Sequence, residues 1–157
     1  MRYLTAAVVI LCTILISVPA SAATPDIKQQ TRLFLDAYAH GDRDKVLPLL
    51  DPGIAIYGSD AAEVSLGTDA ATTLFTNDQR LWGGPAHIGE MKNVSLIRQG
   101  NLASIFFDAD FSAGGRAPIP VRFAMVWRLT SGKWLLVQSS NVVPTQGQSA
   151  ADLLKKN

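Results

Sequence analysis

The stretch from residue 102 to residue 129 constrains this chain most. From Leu102 to Phe111, Ala103, Ile105, Phe107, Ala109 and Phe111 fall on one face, and Ser104, Phe106, Asp108 and Asp110 on the other. Ile119 to Leu129 repeats the period with Val121, Phe123, Met125, Trp127 and Leu129. A period of two is the pleat of a strand with one face in a core. Turn residues bracket both runs. Gln99-Gly100-Asn101 joins the first to a strand from His87 to Arg98, Ser112 to Pro118 is a Gly-rich loop, and Ser131-Gly132 leads into a strand from Trp134 to Val143. Four long strands in succession make an antiparallel meander. Its apolar face needs a cover, and the meander does not supply one.

The preceding residues do. Thr24-Pro25-Asp26 opens a helix, with Thr24 able to cap and Pro25 suited to the first position. Ile27, Leu33, Phe34, Ala37 and Tyr38 recur near a 3.6 period, and Gly41 ends the helix. Asp42 caps a second helix that buries Val46, Leu47, Leu49 and Leu50 and is kept short by Pro48. Asp51-Pro52-Gly53 reads as a turn and Ile54 to Tyr57 as a short strand, broken by Gly58-Ser59-Asp60. Glu63 to Leu66 is a second extended piece. Gly67-Thr68-Asp69 then starts a third helix carrying Ala70, Leu74, Phe75 and Leu81, and it stops at Trp82-Gly83-Gly84-Pro85. Helices segregated from an antiparallel sheet define the α+β class. A curved sheet over helices leaves a pocket between the layers.

The first 22 residues read as a secretory signal peptide. Met1-Arg2 gives a positive start, Leu4 to Val18 an apolar run too short to span a bilayer, and Ala20-Ser21-Ala22 a small-residue cleavage pattern after Pro19. The expected product is exported, periplasmic or extracellular, with no membrane attachment after cleavage. It is one domain, residues 23–144, followed by a polar tail, 145–157. The only cysteine, Cys12, leaves with the signal. That excludes a disulfide, a Cys-ligated zinc and a cysteine nucleophile in the mature chain. The 14 basic residues less Arg2 balance 13 acidic ones. A nucleic-acid-binding domain usually carries a clear basic excess, so nucleic acid is not an expected partner.

The order of elements, with the residues at their joints, resembles the SnoaL-like branch of the nuclear transport factor 2-like superfamily. Ala39-His40-Gly41-Asp42 closes the first helix as in that branch. Tyr57-Gly58-Ser59-Asp60, Glu63 and Gly67 match its pattern before the third helix. Arg122 begins the third long strand, and Gly132-Lys133-Trp134, Val137 and Val143-Pro144 fit the last hairpin and its exit. The likeness runs from Asp26 to Pro144. It implies a cone-shaped fold in which three N-terminal helices pack on a curved antiparallel sheet around a pocket. Homodimers through the open sheet face are common in this superfamily. Its members include ketosteroid isomerases, polyketide cyclases, dehydratases and binding modules, so the fold does not select a function.

The isomerases' catalytic equipment does not carry over by position. Their tyrosine lies seven residues before the helix-ending glycine, which here is Phe34. Their protonated acid on the third long strand falls on Met125. Two histidines frequent on the last strand are replaced by Gln138 and Ser140. These groups keep a pocket polar but do not shuttle protons near neutral pH. A second alignment places Ser139 and Asn141 inward instead.

Asp60 remains as a possible base, and His87 as its partner; each also reads as a local structural residue, a turn aspartate and a strand-end histidine. His40 reads as a helix C-terminal residue. Asp108 and Asp110 share a strand face, either solvated or paired with Arg122, which alternatively holds a ligand's anionic group. Tyr38, Tyr57, Trp82 and Trp127 are aromatic candidates for a pocket lining or a core. With Arg122, Gln138 and Ser140 they make up the candidate ligand-binding set. Two isolated histidines make a zinc or iron site improbable, and no cofactor motif is present. The leading expectation is an exported SnoaL-like protein that binds a small, largely apolar molecule without acid–base catalysis. The rivals are an isomerase, dehydratase or cyclase using Asp60, and a dimeric interaction module.

Overall fold

The computed structural model describes residues 26–145 together with Asp152, Leu154 and Lys155. The signal peptide, Thr24-Pro25 and most of the tail lie outside the described residues. Seven strands form one sheet: β1 (Leu50–Tyr57), β2 (Val64–Leu66), β3 (Ala86–Ile88), β4 (Lys92–Gln99), β5 (Leu102–Ala113), β6 (Ile119–Thr130) and β7 (Lys133–Val142). Their order is β2-β1-β7-β6-β5-β3, with β4 also pairing β5. α1 (Ile27–Ala39), α2 (Arg43–Val46, continued by a 3-10 turn at Leu47–Leu49) and α3 (Thr68–Trp82) cover the sheet. The architecture is the expected α+β one.

The sheet is mixed rather than wholly antiparallel. β1 runs parallel to β7, with Ile56 opposite Ser139 and Tyr57 opposite Ser140. No hairpin joins these two strands, so the long connection between them sets their direction. The meander itself is antiparallel from β4 through β5 and β6 to β7.

Two boundaries in the sheet depart from the sequence reading, and the first helix is capped by Asp26 rather than by Thr24. Asp51-Pro52-Gly53 is not a turn but part of β1, where the register shifts between Leu50 and Ala55. A bulge accepts a proline that an unbroken ladder would not. The strand expected over His87 to Arg98 is split. β3 and β4 both pair with β5, Ala86 opposite Ala113 and Lys92 opposite Asp108, and Gly89 N–H donates to the Asp110 carbonyl at 2.8 Å in the gap.

Helix α1 begins at Asp26, whose carboxylate accepts from Gln29 N–H at 2.9 Å. It ends in a Schellman arrangement. Gly41 N–H donates to the Tyr38 carbonyl and Asp42 N–H to the Ala37 carbonyl, with Gly41 at φ +70°. The buried residues of α1 are Ile27, Gln30, Thr31, Phe34, Leu35, Ala37 and Ala39. Leu33 is exposed, as is Leu81 on α3, because each sits a residue away from the inward line. Arg32 fastens α1 to the sheet edge by donating to the carbonyls of Ile88 and Gly89. His40 lies at the end of α1, its Nδ1 2.7 Å from the Asp36 carbonyl.

Pairing across the strands sorts the two faces. Ile56, Ser139, Met125 and Ile105 lie side by side on the inner face, and Tyr57, Ser140, Ala124 and Phe106 on the outer one. Trp127, Met125, Ile105, Ile54, Leu136 and Leu35 are the largest fully buried apolar side chains. Burying each is worth about 1.5–3 kcal/mol.

Candidate functional site

The inner face is not filled along its whole length. Between α1, α3 and the ends of β1, β5, β6 and β7 lies a cavity of about 160 Å³. An apolar cavity of about 150 Å³ holds a benzene ring, so the space suits a ring-sized molecule. Phe34, Phe75, Trp82, Phe111, Phe123 and Met125 are among its walls. The rings make a contiguous set: Tyr38 lies 4.9 Å from Phe75 and 5.2 Å from Trp82, and Trp82 lies 5.2 Å from Phe111, centroid to centroid.

Helix periodicity delivers the polar groups. On α3 the buried residues are Ala71, Phe75 and Asp78, and Trp82 follows one turn later, so an aspartate occupies the apolar stripe. Asp78 is only 9% exposed. The Tyr38 hydroxyl, one turn beyond Phe34 on α1, donates to Asp78 Oδ2. Burial pushes the Asp78 carboxyl up, and the nearby Glu63 charge pushes the same way, against the lowering effect of the Tyr38 hydrogen bond. Burial also raises the Tyr38 phenol well above its ordinary value, reinforced by Asp78. Gln79 Nε2 donates to the Tyr38 carbonyl at 2.7 Å and steadies that turn.

Glu63 is the second acid of the cavity. The loop after β1 holds it: Gly58 N–H donates to the Glu63 carbonyl at 2.8 Å, and Asp60 N–H to Glu63 Oε2 at 3.1 Å. A Cβ on Gly58 would lie 2.1 Å from Glu63 Oε2, so only glycine lets the carboxylate lie there undisturbed. Ser59, Ser139 and Asn141 complete the polar lining. Among the described residues, no lysine, arginine or histidine lines the cavity.

The structure distributes the expected site residues unevenly. Tyr38 and Trp82 line the cavity. Asp60 does not: it is exposed, and its carboxylate accepts from Ala62 N–H at 2.8 Å, shaping the turn that presents Glu63. His87 is exposed on β3 between the buried Ala86 and Ile88, so pleating directs it away from the cavity. Tyr57 sits on the outer face, 52% exposed. Arg122 is also outside, its Nε 3.2 Å from Asp108 Oδ1. Trp127 is buried in the core beyond the cavity, edge-on to Phe34. Gln138 and Ser140 pair with Val126 and Ala124 on the outer face. Ser139 and Asn141, paired with Met125 and Phe123, face inward, which decides between the two alignments.

Asp108 and Asp110 are tied into surface pairs with Arg122 and Lys92 rather than gathered for a cation. Among the described residues no cluster of three or more His, Cys, Asp or Glu could hold a metal. None of their helices is long and apolar enough to cross a membrane.

Asp78 and Glu63 were missed as site residues. Asp78 was legible as an acid at helical spacing between Phe75 and Trp82. Glu63 stands in the same family-like pattern as Asp60, but no spacing shows that the loop brings it, and not Asp60, to the cavity. The expectation that the pocket lacks acid–base groups therefore fails. It rested on the positions of Phe34, Met125, Gln138 and Ser140, whereas the carboxyls and phenol enter from other positions.

The chain belongs to the SnoaL-like domain family, whose pattern matches residues 27–146. Solved structures share its fold. An association domain of a candidate calcium/calmodulin-dependent protein kinase type II from Thiobacillus denitrificans superposes with a TM-score of 0.68 at 17% identity, covering 80% of this chain and 100% of that one. A candidate dehydratase of the nuclear transport factor 2-like family from Streptomyces avermitilis gives 0.68 at 14% identity, covering 76% and 94%. A candidate ketosteroid isomerase from Parabacteroides distasonis gives 0.65 at 18% identity, covering 81% and 95%. No curated protein matches the chain significantly in sequence.

Proposed function

We propose that this chain is an exported SnoaL-like protein that holds a small, largely apolar molecule in the cavity between its helices and sheet. The observation that carries the reading is a ring-sized apolar cavity into which Asp78 and Tyr38 are built as a buried polar pair. Apolar walls with a few convergent polar groups and a perturbed carboxyl are the usual marks of a ligand site. Export rests on the N-terminal pattern ending at Ala20-Ser21-Ala22. A native mass spectrum of the mature protein from its own compartment tests both. The expected result is a chain starting after residue 22 or 23 that releases a reproducible non-protein mass on denaturation. An intact N-terminus would refute export. A protein empty on isolation and indifferent to a broad panel of apolar metabolites would refute binding.

One observation favours an enzymatic second reading. The Asp78 carboxyl is raised above its ordinary value beside a phenol, an arrangement that suits proton transfer to or from a bound ligand. An isomerase or dehydratase would then rely on Asp78 rather than Asp60. Its test is Asp78→Asn, which should abolish turnover and leave the fold intact; unchanged turnover would sink it. Homodimerisation is supported by the outer face, where Phe106, Ile97 and Val142 are exposed beside Ala124 and Val126. The same native spectrum counts subunits, and a monomer at high concentration would contradict it.

A further inference from the structure

Charge balance narrows the ligand class. Among the described residues, two carboxylates and no basic side chain line the cavity. The other buried acid of this chain, Asp51, has its own cation in Arg128. Asp78 has only the Tyr38 hydroxyl, at Oδ2, and no hydrogen bond reaches its Oδ1 among the described residues. A buried carboxylate without a counter-charge costs stability, and the cost falls when a cation arrives. The neighbouring walls suit the same visitor. Trp82, Tyr38 and Phe111 line the same space, and a cation over an aromatic face is attracted by its quadrupole.

Resting on the binding reading above, we infer that the cavity takes an organic cation: a primary or substituted ammonium on a single apolar ring or an equivalent short hydrocarbon. The ammonium group donates to Asp78 Oδ1 and lies within the field of Glu63. The hydrocarbon packs against Phe34, Trp82 and Phe111. At about 160 Å³ the cavity admits a ring with a short arm. Ser139 and Asn141 supply neutral hydrogen-bonding groups for a second polar substituent.

Isothermal titration of the mature protein with a matched set of probes tests this. The set is 2-phenylethylammonium, 2-phenylethanol, acetophenone and 3-phenylpropionate. The expected order puts the ammonium at least tenfold tighter than the alcohol and ketone, with the carboxylate weakest. Asp78→Asn should lower ammonium affinity at least tenfold and leave the alcohol within about twofold. Ser139→Val, which keeps both acids, should weaken all probes by crowding. Alcohol or ketone binding as tightly as the ammonium would overturn the cation assignment while leaving a binding cavity in place. So would an ammonium affinity untouched by Asp78→Asn. If no probe binds and a neutral or anionic mass is released from the native protein, the cation assignment fails and the binding reading stands. If no probe binds and the native protein is empty, both fail.

Discussion

The two buried aspartates, Asp51 on β1 and Asp78 on α3, are alike in burial and opposite in treatment. Asp51 is 5% exposed and Asp78 9%. Arg128 donates to Asp51, Gly53 N–H adds a second bond at 3.0 Å, and the pair holds the Asp51 carboxyl below its usual value. Asp78 lines an open space, receives only a phenol among the described residues, and is pushed up. The surrounding apolar packing differs in the same way. Near Trp127, Leu136, Ile105 and Ile54 the inner face is filled, whereas from Met125 and Ser139 towards Phe123 and Asn141 it is hollow. One end of the same three strands is built for stability. The other gives up contacts and charge neutrality to keep a site, a trade that natural binding and catalytic sites commonly make.

Breaking the filled end should have the largest effect. Trp127→Ala removes a fully buried ring that packs on Phe34 and should cost about 3–5 kcal/mol in urea unfolding. Ser139→Val, at the hollow end, should change stability by less than about 1 kcal/mol, because it adds methyl groups to empty space. Equal losses in the two variants would erase the distinction.

Next comes the paired acid. Arg128→Ala leaves Asp51 buried with a single backbone donor. The guanidinium is half exposed, so solvent screens part of the pair, and the expected loss is about 1–2 kcal/mol by the same measurement. No change would mean that water replaces the guanidinium at Asp51.

The unpaired acid should respond with the opposite sign. Asp78→Asn keeps the shape and removes the buried charge, so stability at neutral pH should rise by about 1 kcal/mol or less. The pH dependence follows from the directions of the two shifts. The folded Asp78 carboxyl titrates above its unfolded value, so its contribution worsens as pH rises between the two and is restored on acidification. The folded Asp51 carboxyl titrates below its unfolded value, so its contribution is full above the unfolded value and is lost as pH falls towards the folded one. Unfolding across acid pH for wild type, Asp78→Asn and Asp51→Asn separates the two. A loss of stability in Asp78→Asn at neutral pH would show that the charge is needed for folding. Gly58→Ala acts on the loop itself: the added Cβ would lie 2.6 Å from Glu63 Cβ as well as 2.1 Å from its Oε2, so rotating the Glu63 side chain cannot relieve the clash and the loop backbone must shift. Unfolding should shift by about 1–3 kcal/mol, and affinity for an ammonium probe should fall.

These contrasts also explain what could be read from the sequence. The alternation in β5 and β6 fixed the meander and its buried face, because each residue's side is set by its neighbours. Gly41, Asp42 and Gly83 marked helix ends through local backbone chemistry. The parallel join of β1 to β7 and the split of β3 from β4 depend on contacts far apart in the chain, and no local pattern announces them. The register shift within β7, between the partners of Val126 and Trp127, separates the inward Leu136 from the inward Ser139 by three residues. Strict alternation could not foresee which of Gln138 and Ser139 faces in. Tyr38 and Trp82 were legible as aromatic candidates because helix spacing placed them beside core residues. Asp60 drew attention by position in a motif, while the carboxylate that reaches the cavity, Glu63, is three residues further along the same turn.

The most direct measurement is the titration of the Asp51 and Asp78 side-chain carboxyls, followed together by carbon-13 resonance in the ligand-free mature protein. A site that keeps one acid without a counter-charge predicts Asp78 titrating above the ordinary carboxylate value and Asp51 below it, with Asp78 alone moving down when 2-phenylethylammonium is added. Asp78 titrating at or below Asp51 in the empty protein would contradict it, because the cavity carboxylate would then already have its partner.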